Sequence, residues 1–127
     1  QTIRRAGAEK RVLLTSFRWQ TVRNVQRIGY SGEVGVGVPA ILLLKSLPHF
    51  LLPGGVRLGD RVQIPPAWGR IRLDTPEFIK KCHRLGLKVD YWVVNRGEDA
   101  IRLVELGADG IMSDFPGTIR TALTKRD

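Results

Sequence analysis

The run Val89-Asp90-Tyr91-Trp92-Val93-Val94-Asn95 leads into a helical pattern and then into Gly107-Ala108-Asp109-Gly110-Ile111-Met112-Ser113-Asp114-Phe115-Pro116. This is a strand, helix, strand unit whose strand ends carry polar and aromatic residues. In parallel α/β sheets ligands bind at those ends. Shorter apolar runs precede it at Val12-Leu13-Leu14, Val34 to Val38 and Val62-Gln63-Ile64, and Gly110-Ile111-Met112 closes the series. Most lack the polar alternation of a half-exposed strand, which fits strands buried on both faces of a parallel sheet. Helical patterns lie between most of them, giving βαβαβ order with right-handed connections.

The helix boundaries are written in specific residues. Thr75-Pro76-Glu77 supplies an N-cap, a proline at the first helical position and an acid in the first turn. Phe78, Cys82 and Leu85 follow at helical spacing, and Gly86 ends the segment. A second helix starts near Asn95, buries Ala100, Ile101 and Val104, and closes at Gly107. An earlier one carries Val22, Val25 and Ile28 and stops at Gly29. Pro53-Gly54-Gly55 reads as a turn, and Pro65 to Gly69 as a loop after a strand. Alternating Gly and Val in Gly32 to Gly37 reads as a strand whose glycines allow close packing, because the spacing is wrong for a dinucleotide fingerprint. No linker or repeat divides the chain, so residues 1–127 are expected to form one structural unit.

At 127 residues the chain is about half the ~250 residues of a whole α/β barrel. No apolar run reaches the ~18 residues of a membrane span. The densest, Val38 to Leu52, is broken by Pro39, Lys45, Pro48 and His49 and is expected to be a core helix and its loop. Peripheral membrane contact through Ile41, Leu42, Leu43, Leu44 and Leu47 is the less favoured reading. The basic, polar start does not resemble a signal peptide. The location expected is cytoplasmic, and a chain starting at Gln1 is expected to be a processed product or a fragment. The single cysteine, Cys82, reads as a buried structural thiol.

The formal charge of +9 is carried entirely by residues 1–72, while residues 73–127 are neutral overall. A basic half invites a nucleic-acid reading. Yet Arg4, Arg5, Lys10, Arg11, Arg18, Arg23 and Arg27 are spread out, and no nucleic-acid motif accompanies them. No nucleic-acid partner is expected; a surface facing an acidic partner segment is favoured over a merely solvated one.

Taken alone, the chain lacks catalytic motifs. His49 and His83 have no carboxylate at metal-ligand spacing. There is no serine nucleophile motif, phosphate loop or His-Cys pair. The strand ends gather Ser16-Phe17, Gln63, Pro65, Trp92, Asn95, Ser113 and Asp114 at one rim if the sheet is parallel. Asp114, before Phe115-Pro116, is expected to cap the next helix rather than to catalyse. Asn95 is open to either capping or ligand contact. On residue pattern alone Trp92 is a core side chain.

Three stretches together resemble the glycerophosphodiester phosphodiesterase family. They are Leu14-Thr15-Ser16-Phe17, the segment Cys82-His83-Arg84-Leu85-Gly86 to Trp92-Val93-Val94-Asn95, and Gly107 to Pro116. The likeness spans roughly residues 11–120 and is specific in order and spacing. Val93 and Ser113 stand where the family usually has Thr, and residues 30–72 match weakly.

The resemblance implies the C-terminal part of a (β/α)8 TIM-type barrel of the phospholipase-C-like phosphodiesterase kind, with about five parallel βα units. It implies metal-assisted hydrolysis of glycerophosphodiesters to glycerol 3-phosphate and an alcohol, with Ca or Mg as cofactor and a histidine pair as acid and base. The family's catalytic and metal motifs (His-Arg-Gly, Glu-x-Asp, His-Asp, Glu-x-Lys) do not occur in this chain, so no catalytic or metal residue is assigned here. The same pattern makes Trp92 and Phe17 apolar walls against the glycerol or alcohol moiety, with Gln63 and Asn95 as rim polar contacts. The partners implied are a small glycerophosphodiester and the missing N-terminal half of the barrel, whose acidic rim would balance the basic residues of 1–72. Two open sheet edges also allow self-association. The alternatives are a phospholipase-like phosphodiesterase of the same fold, or a non-catalytic fragment or basic binding module.

Overall fold

A computed structural model describes residues 1–51 and 58–125. The chain divides into two compact units, Gln1–Val62 and Gln63–Asp127. The expected turn at Pro53-Gly54-Gly55 lies outside the described residues.

The first unit opens with the short helix α1 (Thr2–Arg5) and a 3-10 turn at Glu9–Arg11. Helix α2 (Trp19–Arg27) follows, then α3 (Val38–Ser46), a 3-10 turn at His49–Leu51, and the start of β1 (Arg61–Ile64). Two parallel bridges, Leu14 with Val34 and Gly35 with Arg61, join the apolar runs read as strands. Leu14 N donates to Glu33 O at 3.0 Å and Val36 N to Arg61 O at 2.8 Å. Val22, Tyr30 and Val34 form the core cluster, packed by Ile3, Leu14 and Val25.

Gly35 is required by close approach: a Cβ there would collide with Thr15 Oγ1. The strand read over Val34 to Val38 ends early, because Val38 already belongs to α3. Pro39 fits the first helical turn, where no backbone donor is missed, and so favours starting the helix there. The Val38 to Leu52 stretch does hold a helix with Ile41 and Leu44 buried.

The second unit contains β2 (Ala67–Trp68), β3 (Ile71–Arg72), α4 (Pro76–Arg84), β4 (Lys88–Tyr91), α5 (Gly97–Leu106), β5 (Gly110–Ile111) and α6 (Pro116–Thr124). In the sheet order β1-β4-β5, β4 lies in the middle and pairs in parallel with β5, Asp90 opposite Gly110 and Tyr91 opposite Ile111. The segment read as a loop at residues 65–69 instead starts an antiparallel hairpin. Ala67 pairs with Arg72 and Trp68 with Ile71, and Gly69 takes φ +58 between them. That turn needs a positive φ, which glycine adopts without a steric penalty.

Helix α4 begins as its residues foretell: Thr75 Oγ1 accepts from Phe78 N at 3.3 Å. Its buried face is Phe78, Ile79 and Cys82, whereas Leu85 is exposed. Leu85 lies one residue past the last helical turn and leaves the face that the periodicity assigned it. In α5 the buried pair is Ala100 and Leu103; Val104 points outward and Ile101 is half-buried. Gly107 closes α5 with φ +105. The architecture is α/β with parallel strand pairing, as expected of part of a TIM-type barrel.

Candidate functional site

The second unit's sheet has two distinct faces. Successive strand residues point to opposite sides, so Ile64, Tyr91 and Ile111 share one face and Gln63, Asp90 and Gly110 the other. The first face is apolar: Ile64 and Tyr91 are buried, and Cys82 of α4 lies in the same core. Burial pushes the Cys82 thiol up to about 12 and raises the Tyr91 phenol, which donates to Leu73 O at 2.8 Å. Cys82 is thus the inert structural thiol expected of it.

The second face is polar and aromatic. Gln63 Nε2 lies 3.4 Å from Asp90 Oδ2 and 4.0 Å from Met112 Sδ. Asp90 is buried, and Trp92 follows on the same face, half-buried. The peptide bond between Trp92 and Val93 is cis. Trp92 N still donates to Ile64 O at 3.1 Å, so the strand pairing runs on past the end of β4.

The rim above these strands is laced together. Asn95 Nδ2 donates to Asp114 Oδ2 at 2.9 Å, while Asn95 Oδ1 accepts from Ser113 Oγ and from Asp114 N, both at 3.0 Å. Ser113 Oγ in turn accepts from Phe115 N at 3.0 Å. Neither Asn95 nor Asp114 is a helix cap. The N-cap of α5 is Arg96 and that of α6 is Phe115, and neither makes a side-chain cap bond. The two residues bind each other instead, because the parallel register sets the ends of β4 and β5 side by side.

Of the four expected contact residues, Gln63, Trp92 and Asn95 belong to the second unit. Gln63 and Trp92 share its polar face, and Asn95 stands at the rim. Phe17 lies in the first unit, 75% exposed. Asp90, which shares the face of Gln63, was not among the expected contact residues. Its signal was available, since it is the one acid inside the apolar run Val89 to Val94. His83 is less isolated than its spacing suggested: its Nε2 lies 2.8 Å from Asp109 Oδ2, which also accepts from Val89 N at 2.7 Å. That pair sits where β5 begins, away from the rim, and ties α4 to the sheet.

A buried charge cluster supports the sheet from the helix side. Asp74 is 5% exposed and pairs with Arg72 and, at 2.7 Å, with Arg102 of α5, leaving its Oδ1 without a hydrogen-bond partner. No sequence motif marked it, because its partners come from the hairpin and from α5.

Among the described residues no group of three or more His, Cys, Asp or Glu is placed to hold a metal ion. Asp90 and Asp114 are both engaged by amides. Among the described residues the donors do not fit a divalent cation.

Comparison with known proteins agrees with this architecture. The model of the glycerophosphoryl diester phosphodiesterase family matches residues 1–118. A protein of Caldanaerobacter subterraneus named glycerophosphodiester phosphodiesterase is 26% identical over 98% of this chain and 47% of its own length. A Mycobacterium tuberculosis protein named probable glycerophosphodiester phosphodiesterase 2 is 27% identical over 98% of this chain and 49% of its own. The solved structure of a glycerophosphodiester phosphodiesterase from Parabacteroides distasonis shares the fold with a TM-score of 0.71 at 20% identity, over 99% of this chain and 48% of that one. The chain spans about half the length of the curated relatives it matches. With the family model covering almost all of its length, this chain belongs to the glycerophosphoryl diester phosphodiesterase family.

Proposed function

We propose that this chain is the C-terminal portion of a metal-dependent phosphodiesterase barrel that hydrolyses glycerophosphodiesters to glycerol 3-phosphate and an alcohol. In this reading it supplies the substrate-side wall. Trp92 and Phe17 pack against the glycerol or alcohol moiety, Gln63 offers its amide to a substrate oxygen, and Asn95 holds the rim. The Ca or Mg ligands and the acid-base histidines lie outside residues 1–127. They belong to the upstream half, whose acidic rim would face the basic residues of 1–72.

One observation carries the reading: the sheet of a chain in this family presents Gln63, Asp90 and Trp92 on a single face beneath a laced rim. Such a face, with an aromatic wall and few polar groups, suits a small polar substrate. Asp90 orients the Gln63 amide, and the Asn95 clamp fixes Ser113 and Asp114 at the rim.

The test is the release of glycerol 3-phosphate from glycerophosphocholine by the protein that carries this chain joined to its upstream segment. Activity should vanish with a chelator and return with Ca or Mg. Trp92→Ala should raise KM more than it lowers kcat, since a wall contributes binding that ground state and transition state share. Absence of hydrolysis with either metal, or a Trp92→Ala variant with unchanged KM, would sink the proposal.

A further inference from the structure

The Gln63 amide lies between two groups that accept hydrogen bonds. Its Nε2 is 3.4 Å from Asp90 Oδ2 and 4.0 Å from Met112 Sδ. Neither a carboxylate nor a thioether carries a donor. Turning the amide over would set Gln63 Oε1 against the Asp90 oxygen, two acceptors with no proton between them. The neighbours therefore fix the amide with its nitrogen towards Asp90 and its carbonyl turned away. Asp90 enforces this from β4, the middle strand of the sheet, where it is 4% exposed. A carboxylate so far from water needs the donors within its reach.

The carbonyl is left as an open acceptor. Gln63 Oε1 makes no hydrogen bond among the described residues. It is not buried either: among those residues the one buried side-chain nitrogen or oxygen without a partner is Asp74 Oδ1. An open acceptor on the polar face calls for a donor. The phosphoryl oxygens of a phosphodiester are acceptors themselves and would be repelled, and a quaternary ammonium has no N–H to give. The donors that a glycerophosphodiester brings are the free hydroxyls of its glycerol arm. Half-buried Trp92 on the same face and exposed Met112 beside the amide offer carbon surface to the rest of that arm.

We infer that Gln63 accepts a hydrogen bond from a glycerol hydroxyl through Oε1, and that Asp90 is the positioning residue that sets this polarity. The inference rests on the substrate reading above and narrows it. The site selects phosphate esters whose carbon arm carries a free hydroxyl over plain alkyl esters. One such bond at a half-buried side chain supports a preference of about fivefold to tenfold.

The test is calorimetric binding to the protein that carries residues 1–127 joined to its upstream segment. The two ligands are glycerol 3-phosphate and propyl phosphate, which share the phosphate and three carbons and differ in the hydroxyls. Neither is a diester, so neither is the substrate of a phosphodiesterase. The parent should bind glycerol 3-phosphate about fivefold to tenfold more tightly, and Gln63→Leu should remove most of that ratio. Asp90→Asn should lower it too, since the amide is then free to turn either way. Gln63→Glu combined with Asp90→Asn should restore it: the introduced asparagine donates to the introduced carboxylate, which keeps an oxygen for the hydroxyl. The added charge weakens both phosphate esters alike and leaves the ratio. If Asp90 only supports the fold, Asp90→Asn will lower the urea midpoint and leave the ratio untouched, and that result overturns the inference. A parent ratio near one, or a Gln63→Leu ratio equal to the parent's, does the same. Glycerophosphocholine hydrolysis, measured alongside, separates the two readings. Turnover with a ratio near one defeats this inference alone, whereas no turnover and no binding of either ester defeats both.

Discussion

Asn95 and Asp114 hold each other across the ends of β4 and β5 through two hydrogen bonds, one from the Asn95 amide to the carboxylate and one from the Asp114 backbone to the Asn95 carbonyl. An aspartate at position 95 would keep an acceptor but lose the donor and add a like charge. Asn95→Asp should therefore cost more stability than Asn95→Ala, which should cost about 1 kcal/mol. Urea unfolding of the two variants decides it, and equal midpoints would show that the rim does not depend on this pair.

The Asp74 cluster should be the more expensive one to break. Removing Arg102 leaves a buried carboxylate with only Arg72 beside it, and Arg72 is largely exposed. Arg102→Ala is expected to destabilise by about 2–4 kcal/mol, and an Asp74→Asn change in the same background should recover part of the loss by removing the buried charge. A chemical-denaturation double-mutant cycle measures the coupling. Additive effects would mean that the two residues act independently.

Cys82 gives a pH signature. In the folded chain its thiol stays protonated up to about 12, while in the unfolded chain it ionises near its ordinary 9.0. Between those values the unfolded state has lost the proton and the folded state keeps it, so stability falls as pH rises from about 9 towards 12. Tyr91, raised by burial in the same core, steepens the decline above 10. Cys82→Ala should flatten the lower part of this pH dependence. At neutral pH Cys82 should react with iodoacetamide only on unfolding, and fast labelling of the native chain would contradict its burial.

Gly35 tests the strand packing of the first unit. Even the smallest side chain would collide with Thr15. Gly35→Ala should destabilise by about 1–3 kcal/mol, and Thr15→Gly in the same chain should relieve much of it. Thermal melts of the single and double variants provide the check.

The elements with chemical punctuation were readable in the chain itself. Thr75-Pro76-Glu77 announced α4, Gly107 its own stop to α5, and the buried apolar runs announced parallel pairing. Where periodicity alone was used, the register drifted: Leu85 and Val104 point outward, and Ile79 and Leu103 take the buried places. A one-residue error rotates a helical position by about 100°, which is enough to move it off a face. The hairpin of Ala67–Trp68 and Ile71–Arg72 escaped notice because two-residue strands leave almost no alternation to read.

The sequence by itself determined the α/β class, the parallel order of the strands and the family, because apolar runs, caps and motif spacing are local properties of the chain. Which atoms meet was decided only by the tertiary structure. Asn95 looked equally able to cap a helix or face a ligand, and Asp114 looked like a cap. Parallel register brought them together, so their hydrogen-bonding groups were spent on each other. Parallel pairing likewise set Gln63 beside Asp90, while Asp74 found Arg102 on the helix α5. A side chain's partners depend on residues distant along the chain, and a local pattern carries no record of what folding will place beside it.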